Sequence, residues 1–238
     1  MLSKKILVHN KEVYAWASGD LHTHHGVVKE AQLKKNVSRV SSHRGVQFSV
    51  FPARLPDQLA LFERGPAVIL PKDMGLILAS TGIGKDSTIL EAGAGTGMFT
   101  ALAAQFVKTV ISYELHPVHF QIAKRNIHQL GLTNVRLYPK DVYQGISQKN
   151  LDLLVLDLPE PWRVLPHAEK SLKPGAFLVA YLPSLTQVQA LVDAAGRFFH
   201  VRTTELLQRD WIVEKRRLRP ESQMIGHTAF LVFLRKAH

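Results

Sequence analysis

At 238 residues, 46% apolar and 21% charged, the chain has the size of one domain with a smaller attachment and enough apolar side chain to bury a core, which excludes disordered, collagen-like and coiled-coil classes. It contains no cysteine, so disulfide frameworks, cysteine-ligated zinc or iron–sulfur centres and thiol nucleophiles are excluded. Thirty Lys and Arg against 19 Asp and Glu leave a net charge of +11, the footprint of a nucleic-acid binder or of a solvated basic surface.

The opening segment MLSKKILVHNKEVYAW holds only a short apolar run with charges on both sides, unlike a signal peptide. No window approaches the roughly 18 uninterrupted apolar residues of a membrane span, and the expectation is a soluble cytoplasmic protein. Residues 1–65 carry short mixed segments, LVHNKEVYAW and GVQFSVF, between turn-like Ser, Gly, His and Pro positions, which predicts a small β-rich N-terminal domain. His22, His24 and His25 in L-H-T-H-H invite a metal reading, but no carboxylate stands beside them in sequence, and the expectation is no metal.

From residue 66 the rhythm changes. Five aliphatic or β-branched runs, STILEAG (87–93), TVISYEL (109–115), VRLYPKD (135–141), LDLLVLDLP (151–159) and AFLVAYLP (176–183), each end at acidic, Gly or Pro residues. Most are separated by stretches of helical spacing such as MFTALAAQF, HPVHFQIAKRNIHQLG and LTQVQALVDAAGRF. Alternating strands and helices imply βαβ units and a doubly wound parallel sheet whose central strands are buried on both faces. The alternation fails at the end, where VRTTELLQRDWIV, the basic EKRRLRPESQ and HTAFLVFLRK follow without a crossover helix. Strands joined that way run antiparallel, which predicts a hairpin at one edge of the sheet.

Glu91-Ala-Gly-Ala-Gly-Thr-Gly97 follows the first of these strands and opens a helix. Glycines there let the backbone turn tightly and approach a ligand, and the helix N-terminus offers unpaired N–H groups. The G-x-G-x-G spacing lacks the gap that dinucleotide folds prefer before their last glycine. Glu114, Asp141 and Asp157 end the next three strands. Ligands of open α/β sheets bind beyond the carboxyl ends of the strands, so four acidic side chains, counting Glu91, are expected to converge on one crevice.

EAGAGTG, the YE of 113–114 and the KD of 140–141 resemble the motifs of class I S-adenosylmethionine-dependent methyltransferases. The resemblance implies a seven-stranded sheet with its last strand antiparallel over residues 66–238. It further implies that Gly93, Gly95, Thr96, Gly97, Met98 and Phe99 wrap the methionine part and adenosine of S-adenosylmethionine. Glu114 would hold its ribose and Asp141 its adenine amine, while His119 either flanks the adenine or lies on a helix surface.

Four further segments narrow the likeness: G-P-A-V-I-L-P-K-D (65–73), D-L-P-E-P-W (157–162), A-Y-L-P-S-L-T-Q-V (180–188) and G-H-T-A-F-L (226–231). Together they resemble the tRNA adenine-58 N1-methyltransferase family from about residue 20 onward. That family implies tRNA as substrate, a homotetramer, and methyl transfer to an adenine N1, whose in-plane lone pair needs no prior loss of a proton. Asp157, ionised, would accept a hydrogen bond from the neighbouring amine and strengthen as the base becomes cationic. Reaching N1 in folded RNA requires unstacking the base. Tyr181 is expected to line that pocket, and His227 to contact the base or the Asp157 loop, or else to cap a strand end. Trp162 stacks on a base or packs. Leu70 departs from the family, which often has an aromatic residue or histidine there. Lys215, Arg216, Arg217 and Arg219, with Lys29, Lys34, Lys35, Arg39 and Arg44, would contact phosphates or form a solvated face. Two rival readings are a class I methyltransferase acting on a protein or small molecule and a non-catalytic RNA-binding subunit.

Overall fold

A computed structural model describes residues 4–63, 65 and 68–238. Pro66 and Ala67, at the expected domain boundary and in the segment ending Pro71-Lys72-Asp73, lie outside the described residues. The chain divides into two compact units, Met1–Glu63 and Arg64–His238.

The first unit is β-rich, as its composition predicts. Strands β1 (Lys5–His9), β2 (Glu12–Trp16), β5 (Arg39–Ser41) and β6 (Gln47–Pro52) form an antiparallel sheet in the order β2-β1-β6-β5, and β3 (Leu21–Thr23) pairs with β4 (Gly26–Val28) as a hairpin. Two short helices, α1 (Glu30–Leu33) and α2 (Leu55–Leu59), complete it. In β6 the buried Phe48 and Val50 alternate with more accessible neighbours, the period-2 pattern of a strand with one face on a core. That core gathers Leu7, Trp16, Val28, Leu33, Val40, Phe48 and Val50.

The second unit begins with α3 (Pro71–Thr81), where Pro71 suits the first helical turn and Gly82, at φ +67°, ends it. Then β7 (Thr88–Ala92), α4 (Met98–Ala103), β8 (Thr109–Tyr113), α5 (Pro117–Gln129), β9 (Val135–Tyr138), β10 (Leu151–Leu156), α6 (Leu165–Ser171), β11 (Leu172–Leu182), α7 (Leu185–Asp193) and β12 (Phe198–Thr204) alternate. The crossover from β9 to β10 holds only a 3-10 turn at Val142–Gln144. After β12 come a two-stranded ribbon, β13 (Trp211–Glu214) with β14 (Arg217–Pro220), and the last strand β15 (Phe230–Lys236).

The seven-stranded sheet runs β12-β15-β11-β10-β7-β8-β9, with β15 antiparallel to both neighbours and the remaining pairings parallel. This is the class I methyltransferase arrangement. The expected antiparallel pair lies at the edge, but β15 inserts between β11 and β12 and is buried through Leu231–Leu234. An edge position would have left that apolar run half in water, so burial selects the inner slot. The basic stretch after residue 213, expected only as a connection, supplies the ribbon. Helices cover both faces, giving two cores, one around Leu90, Leu154 and Val232, the other around Ile89, Leu153 and Phe233. No helix among the described residues is long and apolar enough to cross a membrane.

Candidate functional site

The carboxyl ends of β7, β8 and β10 meet at the glycine turn. Backbone pairing continues past the strand ends: Gly93 N–H donates to the Tyr113 carbonyl (3.1 Å), Asp157 N–H to Ala92 (3.0 Å) and Glu114 N–H to Tyr138 (3.1 Å). These bonds fix where the Asp157 and Glu114 carboxylates emerge. Gly93, Gly95 and Gly97 have φ of +85°, +54° and +79°, a region that L side chains enter only with strain. At Gly93 a Cβ would stand 2.2 Å from the Asp157 carbonyl oxygen, so hydrogen alone fits between the turn and the end of β10.

A narrow cleft of about 10 Å³ lies over this turn, lined by Val68, Ile69, Glu91, Gly93, Gly95, Met98, Phe99 and Asp157. Glu114 is 7% exposed. Its Oε2 accepts from Gly95 N–H (2.8 Å) and its Oε1 from His116 N–H (2.8 Å), leaving each oxygen a lone pair for a further donor. Asp141 caps the 3-10 turn, accepting from Tyr143 N–H at 2.9 Å. The Thr96 hydroxyl, in the same turn, is buried with no hydrogen-bond partner among the described residues. The His119 ring stacks on His116, centroids 4.2 Å apart, at the start of α5.

The electrostatics depart from expectation at two carboxylates. Burial, aided by the Glu114 charge, pushes Asp157 up to about 7, so at neutral pH it is divided between its acid and ionised forms rather than wholly ionised. Glu91 is turned into the core, where its carboxylate accepts from the Thr100 and Ser112 hydroxyls. Burial pushes it up to about 8, with Asp157 and Glu114 adding to the rise. Of the four expected carboxylates, Asp157 and Glu91 line the cleft and Glu114 binds the turn at Gly95, whereas Asp141 lines a separate cavity with Lys140 and Gln144. Burial and neighbouring negative charge account for both rises, and a cationic ligand here would offset them.

Tyr181 is 9% exposed at the end of β11, with its hydroxyl 3.4 Å from Asp73 Oδ2. Burial, and then the charges of Asp73 and Asp157, push it up to about 12, against a smaller downward pull from a Thr228 hydrogen bond. Asp73 is itself fully buried and holds the Lys72 ammonium at 2.8 Å; that ammonium also donates to the Thr228 hydroxyl at 2.9 Å. This network ties α3, β11 and the approach to β15. The sequence reading used Lys72 and Asp73 only as a family mark. The one signal they gave was a charged pair opening an otherwise apolar helix.

His227 agrees with the strand-end alternative. Its Nδ1 meets Glu205 Oε2 at 2.8 Å and its Nε2 meets the Pro183 carbonyl, just past β11, at 3.0 Å. Glu205 and that carbonyl raise its pKa. Trp162 packs, half-buried, against the core beside β10. Leu70 shares the wall of a separate cavity of about 610 Å³ with Lys72, Gln208, Met224 and Ile225. The apolar groups facing Leu70 there are thus Met224 and Ile225.

Similarity to known proteins follows the same lines. A family described as "tRNA methyltransferase complex GCD14 subunit" matches residues 58–225. The tRNA (adenine(58)-N(1))-methyltransferase TrmI of Thermus thermophilus is 36% identical over 94% of this chain and 91% of its own length. The tRNA (adenine(57)-N(1)/adenine(58)-N(1))-methyltransferase TrmI of Methanocaldococcus jannaschii is 31% identical over 88% of this chain and 86% of its own. Among solved structures, the tRNA (m1A58) methyltransferase TrmI of Aquifex aeolicus superposes with a TM-score of 0.85 at 27% identity, covering 98% of this chain and 96% of that one. A SAM-dependent O-methyltransferase of Thermotoga maritima reaches 0.90 at 24% identity over 99% and 93%, a likeness of fold alone.

Proposed function

The chain belongs to the tRNA methyltransferase family of the GCD14 and TrmI type, and from that membership we propose that it transfers a methyl group from S-adenosylmethionine to N1 of an adenine in tRNA, at position 58 in the T-loop. The observation that carries this reading is the meeting of two carboxylates at one glycine turn: Glu114 accepts from Gly95 N–H, and Asp157 stands against Gly93, where no side chain fits. A pocket of that charge favours a cation.

The residues present fit the donor in kind, and the cleft of about 10 Å³ has to widen to admit it. The apolar walls of Ile69, Met98 and Phe99 suit an adenosine and a thioether chain, and the Gly93 backbone leaves no room for a side chain beside β10. Bound there, S-adenosylmethionine supplies an electrophilic methyl on a positively charged sulfur. The turn from Gly93 to Phe99 holds the methionine part and adenosine, Glu114 accepts from the ribose hydroxyls, and Asp141 meets the adenine amine, flanked by His119. Asp157 accepts from the exocyclic amine of the target adenine. That bond strengthens as N1 gains the methyl and the ring becomes positive, which is stabilisation of the transition state in preference to the ground state. Tyr181, held by Asp73, lines the acceptor side, and fixing N1 at near-attack distance supplies much of the remaining acceleration.

The reading extends to RNA held by Lys215, Arg216, Arg217 and Arg219, all exposed at the ribbon, to a homotetramer and to a cytoplasmic setting. The exposed Trp211, Val213 and Leu218 on the same ribbon support self-association, which light scattering of the purified chain tests. The decisive assay incubates the chain with labelled S-adenosylmethionine and an unmodified tRNA transcript, then maps the product by mass spectrometry. N1-methyladenosine at position 58 is the expected product. Label that survives nuclease and follows protein indicates a protein methyltransferase, and failure to bind S-adenosylmethionine by calorimetry indicates a non-catalytic subunit.

A further inference from the structure

Folding brings a carboxylate from another strand to the histidines at the tip of the β3–β4 hairpin. Glu12, the first residue of β2, lies between them: its Oε1 is 3.1 Å from His24 Nε2 and its Oε2 is 2.6 Å from His25 Nε2. The donor atoms of Glu12, His24 and His25 all fall within 4.8 Å of one another. A tetrahedral ion with bonds of about 2.0–2.1 Å holds its donors a little over 3 Å apart, so small side-chain rotations bring the three onto one ion. We infer that Glu12, His24 and His25 form a binding site for a divalent transition ion of the zinc class on the N-terminal unit.

Two features beyond proximity support this. The tip is held in place: His25 N–H donates to the Thr23 hydroxyl (3.1 Å), the Ser42 hydroxyl donates to the His25 carbonyl (2.8 Å), and the His43 N–H donates to Val27 (2.9 Å). Pre-ordering of ligands lowers the entropy lost on binding. Tyr14 supplies the outer contact that metal-bound imidazoles need, its hydroxyl lying 2.9 Å from His24 Nδ1 and 2.9 Å from Glu12 Oε2.

Two imidazoles and one carboxylate leave the fourth position for water, an open set suited to Zn²⁺, Co²⁺ or Ni²⁺. Glu12 and His24 are 45% and 61% exposed, so the ion enters from solvent.

The test uses the full chain after chelator treatment, titrated with Zn²⁺ by calorimetry and with Co²⁺ by its visible ligand-field bands. One ion per chain, with the intense bands of a tetrahedral site, is expected. Glu12→Gln and His24→Ala should each weaken binding by about a hundredfold or more, and Tyr14→Phe by about tenfold. His116→Ala, at the other histidine pair, should leave binding unchanged. Circular dichroism checks folding, and Tyr14→Phe stands in should a ligand variant unfold. Absence of one-to-one binding, or equal affinity in Glu12→Gln, overturns the site and leaves an imidazole–carboxylate pair only. Since the readout is metal alone, its failure is separate from any failure of the methyl-transfer reading.

Discussion

Gly93→Ala puts a methyl group where the chain has no room for one. The new Cβ would stand 2.2 Å from the Asp157 carbonyl oxygen and 3.1 Å from its carbonyl carbon. Both are backbone atoms, held by the bond from Asp157 N–H to Ala92. Restoring van der Waals contact moves the end of β10 by about 1 Å, and a displacement of that size at a reacting group costs about a hundredfold in rate. The positive φ of +85° adds about 1–2 kcal/mol of backbone strain. Gly131→Ala is the control, because Gly131 shares a positive φ of +62° but meets nothing within 4 Å; it carries the strain without the clash. Methyl transfer to a tRNA transcript under saturating conditions, with melting temperature measured in parallel, should show Gly93→Ala folded but about a hundredfold slower, and Gly131→Ala slightly destabilised but near normal in turnover. A Gly93→Ala enzyme with normal turnover, or equal losses in both variants, would refute the argument that the turn sets the position of Asp157.

Lys72→Met removes one partner of a buried pair and leaves Asp73 fully buried against Tyr181 and Thr228; a loss of about 3 kcal/mol or more in unfolding free energy is expected by denaturant titration. The pH dependence of stability follows from Asp157 and Glu91. Their native values of about 7 and about 8 exceed an unfolded value of about 4, so the native state binds the extra protons in between. Stability should therefore fall as pH rises from about 5 to about 8, His227 acting in the same direction because its value is also raised, and Asp157→Asn should flatten part of the slope. The same ionisation should make kcat/KM for tRNA rise through about pH 7. Replacing Arg216, Arg217 and Arg219 by Gln should weaken tRNA binding and shrink its salt dependence, seen as a shallower slope of log affinity against log salt.

What the sequence makes legible is local. β7, β8 and β10 are continuous apolar runs because they are buried on both faces, and the glycines after β7 mark the positive φ values that only a tight turn demands. Strand-end carboxylates are legible by position because parallel strands deliver their carboxyl ends to one side. Their charge states are not, since Asp157 and Glu91 owe their raised values to burial that no single segment reveals. The inner slot of β15 depends on competition between β11 and β12 for the same partner, a long-range choice. The same limit hid Asp73 from Tyr181 and Glu12 from His24 and His25: each pairing is made by folding, across 108 residues in the first case. At His227 the sequence leaves a base contact and a strand-end cap both open, because Glu205 and Pro183, which hold its ring, stand 22 and 44 residues away.

Asp157→Ala removes the carboxylate at the acceptor edge, and its effect is read as single-turnover methyl transfer to unmodified tRNA beside calorimetric affinity for S-adenosylmethionine. Turnover is expected to drop by on the order of a hundredfold or more while donor affinity changes little. Wild-type turnover in that variant would contradict the role assigned to Asp157 at the acceptor edge.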